Sequence, residues 1–448
     1  MSRLFYLRSL QVRTSVAVFT VVAAFFVLAA ALPAAAQDAH TTLPNNWTIE
    51  QVTFGPQHHF YGYDGQVGNT PFNKNGTHLV LLETDFQNRL AVGADVARIV
   101  LVDIATKQKT FLANTRGWNF QQGTMLYWNP AKPNEEIFFN DRDSSTNKIK
   151  TVLFNVITKT KVRDFYYPSS PFGNSGVAQA GGRFLGSNYG RLDRLRPITG
   201  YAGAYDWTVG VKHPSNDGIW LVDMASAGTP KLLISFKQLR DAFVSAVPAI
   251  DSGHLYINGT LWNRDGTRII TMVRWWNDPV DFIGMNTIAF SFKPDGTNIV
   301  RFTPDTGHPD WLFGTQLLRG DGHIYDVLTN SKLSTVDSSF FLRDGELGTS
   351  RGGNWIASSE FSNNAAANTS QGRVILYSRA ARAGIKFPWY PRGPYYWHGA
   401  NSEKSVETMN RIDIAPCFNA DASKLYFMAL APDGTRQAFV IFRDSGER

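Results

Sequence analysis

The chain has 448 residues, of which 43% are hydrophobic, 13% aromatic and 18% charged. A chain with this much apolar material can bury a large core, which excludes a disordered or collagen-like protein. The formal net charge of +7 includes three arginines near the N-terminus, and no Lys/Arg run typical of nucleic-acid binders follows. We therefore do not expect a nucleic acid as a partner, and the mild positive balance is compatible with an anionic substrate.

Residues 1–36 have the features of a secretory signal peptide. A basic start is followed by an apolar stretch at 16–32 and then by small residues ahead of Gln37. We expect cleavage near Gln37 and a secreted or periplasmic protein that makes no membrane contact afterwards. A signal anchor is the alternative, because the apolar segment is nearly long enough to cross a bilayer. The single cysteine, Cys417, cannot form an intrachain disulfide, so the core must hold the exported protein together.

Beyond the leader, a repeating pattern of strands dominates the sequence. Helical periodicity is rare, and its longest candidates, such as 236–247, are short. A strand, a turn rich in Asn, Asp and Gly, and a second strand recur, as at 72–82, 262–273 and 418–428. These turn residues accept the positive φ that tight hairpins require. A third strand and a more polar fourth strand follow in most units.

The repeats predict an all-β fold, a seven-bladed β-propeller that forms a single catalytic domain at 37–448. The predicted blades occupy segments 58–114, 118–166, 176–236, 250–304, 308–337, 346–390 and 412–446. The last unit has only three obvious strands, whereas residues 47–53 form an extra strand at the start of the mature chain. We expect this strand to complete the last blade and close the ring, which removes an exposed sheet edge. A pair of β-sandwiches is the alternative, and we expect a monomer.

In a propeller, residues before an innermost strand and after the second strand share one rim. On this rim the sequence concentrates His, Tyr, Trp, Asn, Gln and Arg rather than paired carboxylates. β-Elimination from a uronic acid needs a neutraliser for the carboxylate, a base for the C5 proton and an acid for the leaving oxygen. Arg, Asn or Gln can neutralise, and His and Tyr can transfer protons. Glycoside hydrolysis instead needs two carboxyl groups facing one bond, and no such pair is visible in the sequence.

Three rim segments, 58–64, 115–123 and 189–197, resemble the seven-bladed propeller polysaccharide lyases, which include oligogalacturonate lyases, ulvan lyases and rhamnose-releasing glucuronate lyases. The resemblance implies a secreted lyase acting on a glycan with glucuronate or galacturonate next to a neutral sugar such as rhamnose. Oligogalacturonate lyase-like members tend to carry a His-Pro-Arg element in the final blade, around a metal or substrate. Segment 413–418 lacks it, so a divalent metal is an open question and no other cofactor is expected.

The candidate site residues come from this rim. The candidate catalytic residues are His58, His59, Tyr61, Tyr189 and Arg191, with one histidine as base or acid, one tyrosine as its partner and Arg191 at the carboxylate. The candidate substrate-binding residues are Arg116, Trp118, Asn119, Gln122, Arg194, His254, His308 and Trp311. Each has a plainer alternative in structural hydrogen bonding or core packing. The alternative functions are a non-catalytic TolB-like binding propeller and a propeller glycoside hydrolase.

Overall fold

The structure is a computed structural model that describes residues 46–62, 69–225, 229–280, 282–303, 307–337, 339–341, 345–394 and 412–443. These residues belong to one compact unit, His40–Arg448. The predicted signal peptide at 1–36 lies outside the described residues. Within the described segments, no helix has the length and apolarity needed to cross a membrane.

Antiparallel strands account for most of the described chain. The first half contains β1 (Trp47–Gln51), β2 (His58–Phe60), β3 (His78–Thr84), β4 (Ala97–Asp103), β5 (Lys109–Thr115), β6 (Tyr127–Trp128), β7 (Glu136–Arg142), β8 (Ile149–Asn155), β9 (Thr160–Phe165), β10 (Gly173–Val177), β11 (Arg183–Ser187), β12 (Gly218–Asp223) and β13 (Lys231–Ser235). The second half contains β14 (Tyr256–Trp262), β15 (Ile269–Asp278), β16 (Ile283–Phe292), β17 (Val300–Phe302), β18 (Asp310–Trp311), β19 (Gln316–Leu318), β20 (His323–Asp326), β21 (Ser331–Thr335), β22 (Leu347–Thr349), β23 (Trp355–Asn364), β24 (Thr369–Ser378), β25 (Ala383–Lys386), β26 (Tyr390–Gly393), β27 (Cys417–Phe418), β28 (Lys424–Leu430) and β29 (Arg436–Arg443).

The described strands form seven sheets. Their orders are β2-β3-β4-β5, β6-β7-β8-β9, β10-β11-β12-β13, β14-β15-β16-β17, β18-β19-β20-β21, β22-β23-β24-β25 with β26 added to β24, and β1-β29-β28-β27. The second strands are buried on both faces, as in β3, whereas the outer strand β21 is largely exposed. This increase in exposure from the second strand to the outer strand is typical of sheets whose flat faces pack on neighbouring sheets. The predicted all-β class is confirmed.

The strand from the start of the chain joins the strands from its end. β1 pairs with β29 along its whole length, from Trp47 opposite Arg443 to Gln51 opposite Phe439. β2, the first strand of the first sheet, also contacts β29. The first and last sheets are therefore neighbours, and the sheet edge at β29 is covered.

The predicted hairpin turns are built around asparagines. Asn73 Oδ1 accepts hydrogen bonds from the backbone amides of Thr77 and His78, at 2.9 and 3.0 Å. Asn263 and Asn419 occupy the same place in two other sheets and accept equivalent bonds from the following strand. Short Asn side chains can replace the backbone in such turns, which explains why the residue recurs at this position.

The helices differ from the sequence expectation in one place. The arginine-rich segment after Asn188 was not identified as a helix in the sequence, but Tyr189–Leu195 forms helix α1. Asn188 causes this, because its side chain accepts a hydrogen bond from the Arg191 amide and caps the helix. The expected helix at 236–247 is present as α2 (Phe236–Phe243), which starts at a capping box made by Ser235 and Gln238. A 3-10 helix, Pro248–Asp251, follows.

Candidate functional site

The adjacent histidines of β2 point in different directions, as expected for a strand. His59 is 1% exposed, and its Nδ1 lies 2.8 Å from Gln437 Oε1 while its Nε2 lies 3.0 Å from Glu83 Oε2. His58 is half-buried and its Nδ1 accepts the Arg436 backbone amide at 3.0 Å. Burial, followed by the charge of Arg436, lowers the pKa of His58 to about 4. At neutral pH His58 is therefore uncharged, with Nδ1 already used as an acceptor.

The two candidate tyrosines are buried. The Tyr61 hydroxyl lies 2.5 Å from Asn69 Oδ1 and 2.6 Å from the Leu126 carbonyl oxygen. The Tyr189 hydroxyl donates to the Asn174 carbonyl at 2.8 Å, and its ring stacks on that of Tyr201 with centroids 4.0 Å apart. These contacts fit the plainer alternative, in which both tyrosines hold inner strands in place.

Arg191 is 1% exposed, and its guanidinium is directed at the backbone. Its Nε donates to the Leu255 carbonyl at 2.6 Å, and its two terminal nitrogens donate to Thr208, Val211 and Lys212 at 2.8–3.1 Å. Burial lowers the pKa of Arg191 to about 10. This geometry anchors the loop after α1 to β14, and it leaves Arg191 poorly placed to meet a substrate.

Arg194 and His254 lie close to Arg191. Arg194 donates to Asp206 Oδ2 through Nε and Nη2, at 3.0 and 2.8 Å. His254 is half-buried, and within the described segments its Nδ1 has no hydrogen-bond partner. Burial, followed by the charges of Arg191 and Arg194, lowers the pKa of His254. The structure thus brings these three predicted residues together.

The two candidate tryptophans belong to the core. Trp118 is 1% exposed and packs its ring edge-on against Phe120, with centroids 5.0 Å apart. Trp311 is 0% exposed and donates through Nε1 to the Leu261 carbonyl at 2.9 Å. Both rings are packed in the core, which fits the plainer alternative of core packing rather than stacking on a sugar.

Asn119 and Gln122 belong to a tight turn ahead of β6. Asn119 Oδ1 accepts the amides of Gln121 and Gln122 at 3.0 and 2.6 Å. Gln122 is 7% exposed. Arg116 is half-buried, and its backbone amide donates to Asp141 Oδ1 at 3.1 Å. The turn fixes the direction in which the neighbouring Gln121 side chain points.

Gln121 belongs to a buried group of polar and charged side chains, which we call the arginine–carboxylate cluster. Its members are Gln121, Arg196, Glu346, Arg392, Asp413 and Arg436, all at most 7% exposed. Gln121 accepts from Arg196 Nη1 at 3.1 Å and donates to Asp413 Oδ2 at 3.3 Å. Arg392 Nη2 lies 3.4 Å from the other Asp413 oxygen, and its Nε donates to the Ile412 carbonyl at 2.6 Å.

Glu346 is the carboxylate of this cluster that is best suited to proton transfer. Its Oε2 accepts the Ala415 amide at 3.1 Å. Burial, followed by the negative charge of Asp413, raises the pKa of Glu346 to about 7, although Arg392 and His308 act in the opposite direction. The predicted residue His308 therefore lies within electrostatic reach of Glu346. A carboxyl group whose pKa lies near neutrality can both accept and donate a proton.

The positions of these residues follow from the strand order. Glu346 immediately precedes β22, Asp413 lies shortly before β27, and Gln121 lies shortly before β6. Arg436 is the first residue of β29, where its guanidinium lies 4.9 Å from the Phe60 ring and donates to the Phe120 carbonyl at 3.1 Å. The cluster thus lies where innermost strands begin, which is the rim that the sequence predicted to be functional.

The sequence predicted a functional rim, but most residues of the cluster were not among the candidates. Asp413 lies in the segment that lacks the His-Pro-Arg element, and Arg392 was not among the candidate residues. Glu346 is a single acid in an ordinary loop, and only the fold places Asp413 beside it. Within the described segments, no group of three or more His, Cys, Asp or Glu side chains is arranged to hold a metal ion.

Comparison with known proteins gives a fold and no family. No family model and no curated protein sequence matches the chain. Among solved structures, an oligogalacturonate lyase in complex with manganese is similar over 89% of this chain and 93% of its own, with a TM-score of 0.55 and 13% identity. The Cps50 (Swd1) β-propeller domain of Myceliophteria thermophila covers 85% of this chain and 96% of its own, with a TM-score of 0.43 and 11% identity. At 13% identity the likeness to the lyase structure concerns the fold alone.

Proposed function

We propose that this protein is a secreted polysaccharide lyase that cleaves a uronic-acid-containing glycan by β-elimination. The observation that carries the proposal is the arginine–carboxylate cluster, which places Glu346, with a pKa near 7, beside Arg392 and Asp413. The cluster holds three arginines against two carboxylates, so it has an excess of positive charge. Such a site favours an anionic sugar, and its preorganised donors can stabilise the charge that develops when the C5 proton leaves.

The elimination can be written with Glu346 as the group that moves the proton. Arg392 and Arg196, with Gln121, neutralise the uronate carboxylate and make the C5 proton more acidic. Glu346 takes that proton, the C4–O bond breaks, and a double bond forms between C4 and C5. The leaving oxygen then receives the proton, either from Glu346 itself or from a nearby group such as His308. In this scheme Glu346 takes the role that the sequence suggested for His58 or His59.

The proposal also covers the fold and the domain that carry the site. We propose that the seven sheets are blades of one ring, that β1 closes it through its pairing with β29, and that residues 37–448 are a single domain. Export rests on the sequence of residues 1–36, and we propose that the mature protein acts as a monomer outside the cytoplasm. The neutral sugar next to the uronate, with rhamnose as the first candidate, comes from the sequence resemblance.

A propeller glycoside hydrolase is the second candidate, and one specific observation favours it. Glu346 and Asp413 are both buried, and the charge of Asp413 raises the pKa of Glu346. Glycoside hydrolysis uses two carboxyl groups as an acid and base pair, and these two lie in the same cluster. This pair was not visible in the sequence. The products distinguish the two candidates, because only a lyase forms an unsaturated sugar.

The experiment is a screen of uronic-acid polysaccharides in which ultraviolet absorbance and new reducing ends are followed together. A lyase raises both signals, a hydrolase raises only the reducing ends, and a binding propeller raises neither. Glu346→Gln should abolish the activity that is found, whereas Glu136→Gln should not. Glu136 is the matched control, because it is also a 4% exposed glutamate but lies on β7, where it bonds Asn129 and Lys132.

The role of Arg392 has its own test. If Arg392 binds the uronate carboxylate, the wild-type enzyme should cleave the free acid faster than its methyl ester. Arg392→Ala should lower turnover and remove this preference. An ester that is cleaved as fast as the acid by the wild-type enzyme would contradict carboxylate recognition, even if the protein proves to be a lyase.

A further inference from the structure

A cavity of about 250 Å³ is lined by innermost strands and by the turns that follow them, and none of the residues of the arginine–carboxylate cluster lines it. Its walls come from turns that join innermost strands to second strands, in sheets that are far apart in sequence. Lys74 belongs to the turn before β3, Arg351 to the turn after β22, and Ala420 to the turn after β27. Side chains from across the unit therefore converge on one space.

The charges around this cavity are unbalanced. Lys74 and Arg351 both line it, their residues are exposed, and within the described segments neither forms an ion pair. Asp310 is the only acid among the described lining residues, and its carboxylate is already engaged. Its Oδ2 accepts from the amide and hydroxyl of Thr349 at 2.9 and 2.7 Å, and its Oδ1 accepts the Trp311 amide at 2.8 Å.

Arg264 further offsets the negative charge of Asp310. The charge of Arg264 acts on Asp310, and Arg264 Nη2 donates to the Thr349 hydroxyl at 3.0 Å. Asp310 is 1% exposed, and burial raises its pKa to about 7, so its negative charge is partial at neutral pH. The two cations at the cavity are thus available to an anion that enters from solvent.

The size and the remaining lining limit the class of ligand. A water molecule takes about 30 Å³ of liquid volume, so the cavity has room for about eight waters or one small molecule and lies slightly below the usual range of drug-sized pockets. Amide side chains of Asn69 and Gln179 and the ring of Trp128 also line it. Amides and an aromatic ring suit hydroxyl groups and a sugar face, whereas the two cations suit a carboxylate.

We propose that this cavity is a second ligand site, which binds a monosaccharide-sized acid with hydroxyl groups through Lys74 and Arg351. The site is separate from the arginine–carboxylate cluster and does not depend on the activity proposed for it. A free hexuronate fits this chemistry, and a neutral hexose of the same size lacks the carboxylate that the two cations would bind.

The first test is calorimetric titration of the full chain with sodium glucuronate, with glucose as the neutral comparison. Glucuronate should bind and glucose should bind much more weakly. Lys74→Ala and Arg351→Ala should each weaken glucuronate binding by about tenfold or more, because each removes a charge-assisted hydrogen bond. Lys332→Ala is the matched control, since Lys332 is an exposed lysine on β21 that does not line the cavity. Binding that is unchanged in both cavity variants would overturn the proposal.

A second measurement locates the ligand. Cys417 is the only cysteine of the chain, is half-buried, and lines this cavity. Glucuronate should slow the reaction of Cys417 with a thiol reagent, and this protection should disappear in the Lys74→Ala/Arg351→Ala double variant. Glu346→Gln should leave the protection intact, which separates this site from the proposed active site. Equal protection by glucose, or protection that survives in the double variant, would place the ligand elsewhere and reject the inference.

Discussion

His59 Nε2 lies 3.0 Å from Oε2 of Glu83, directly across from it on the neighbouring strand. Glu83 is 5% exposed; burial alone would raise its pKa, but hydrogen bonds from Lys109 and Arg98 hold it at about 2. The other ring nitrogen of His59 faces Gln437. Both nitrogens are therefore engaged in a buried network, and neither is free to take a proton from a substrate.

His59→Ala should consequently act on stability rather than on chemistry. The loss of two buried hydrogen bonds should lower the free energy of unfolding by about 2–4 kcal/mol. Turnover per folded molecule should change little. Chemical denaturation and activity at a temperature where the variant is folded would check both points. A fall in turnover of about 10²–10⁴ with unchanged stability would instead support the sequence hypothesis that His59 is the base.

Glu346→Gln should lower turnover by about 10²–10⁴ while the protein stays folded. In the wild type, activity should fall as the pH drops below about 7, because Glu346 must be ionised to accept the proton. The folded-state pKa is raised from 4.5, so the stability linked to Glu346 is fully present below pH 4.5 and is lost as the pH rises through 7. Above pH 7, the variant should therefore melt no lower than the wild type. A lower melting temperature of the variant above pH 7 would show that the Glu346 carboxylate stabilises the fold.

His58 should make the folded state sensitive to acid. Its pKa is lowered from 6.5 to about 4, so the unfolded chain binds a proton before the folded chain does. The stability linked to His58 is present above pH 6.5 and is lost as the pH falls towards 4. As the pH falls over this range, the melting temperature of His58→Gln should decrease less than that of the wild type. Parallel curves would mean that His58 is more solvated than the structure indicates.

Arg191→Met should destabilise the protein by about 3 kcal/mol or more, because it leaves several buried acceptors without a donor. It should not alter the preference for free uronate over its methyl ester in the protein that remains folded. Arg194→Met, which removes a more exposed guanidinium on the same helix, is the comparison and should cost less. Loss of the ester preference in Arg191→Met alone would restore Arg191 to the substrate carboxylate.

Deletion of residues 45–55 should expose the edge of β29 and cause aggregation or a large drop in melting temperature. A protein that begins at Asn46 keeps β1 and serves as the control. Light scattering and thermal melting would check the outcome. A truncated protein that stays monomeric and melts at the same temperature would contradict closure of the ring by β1.

The fold was more predictable from sequence than the site. Turns such as the one at Asn73 are local, since one side chain organises the next five residues, so their pattern is visible without the structure. The position of the Arg191 side chain could not be predicted, because its partners Leu255 and Lys212 lie outside helix α1. The helix that carries Arg191 depends on the Asn188 cap, which a short segment with little apolar periodicity does not reveal.

The cluster around Glu346 shows the same limit. Glu346 and Asp413 lie on loops before different sheets, and Gln121 contacts Asp413 from 292 residues away in sequence. No spacing rule links such residues, since each simply precedes its own innermost strand. The sequence predicted a polar rim at this edge of the sheets, whereas the choice of partners depends on how the sheets pack.

The contact between the two ends of the chain has a consequence for how the protein reaches its native state. Arg436 donates to the carbonyl of Phe120, which lies 316 residues away in sequence. The backbone of β1 is paired only once β29 is present. Contacts between residues so distant in sequence slow folding, because a long loop must close before they form. The sheet that contains β1 can therefore be completed only after the last strand has been made. If the protein is exported as we propose, the chain can cross the membrane before β1 and β29 are paired, and folding is completed on the far side.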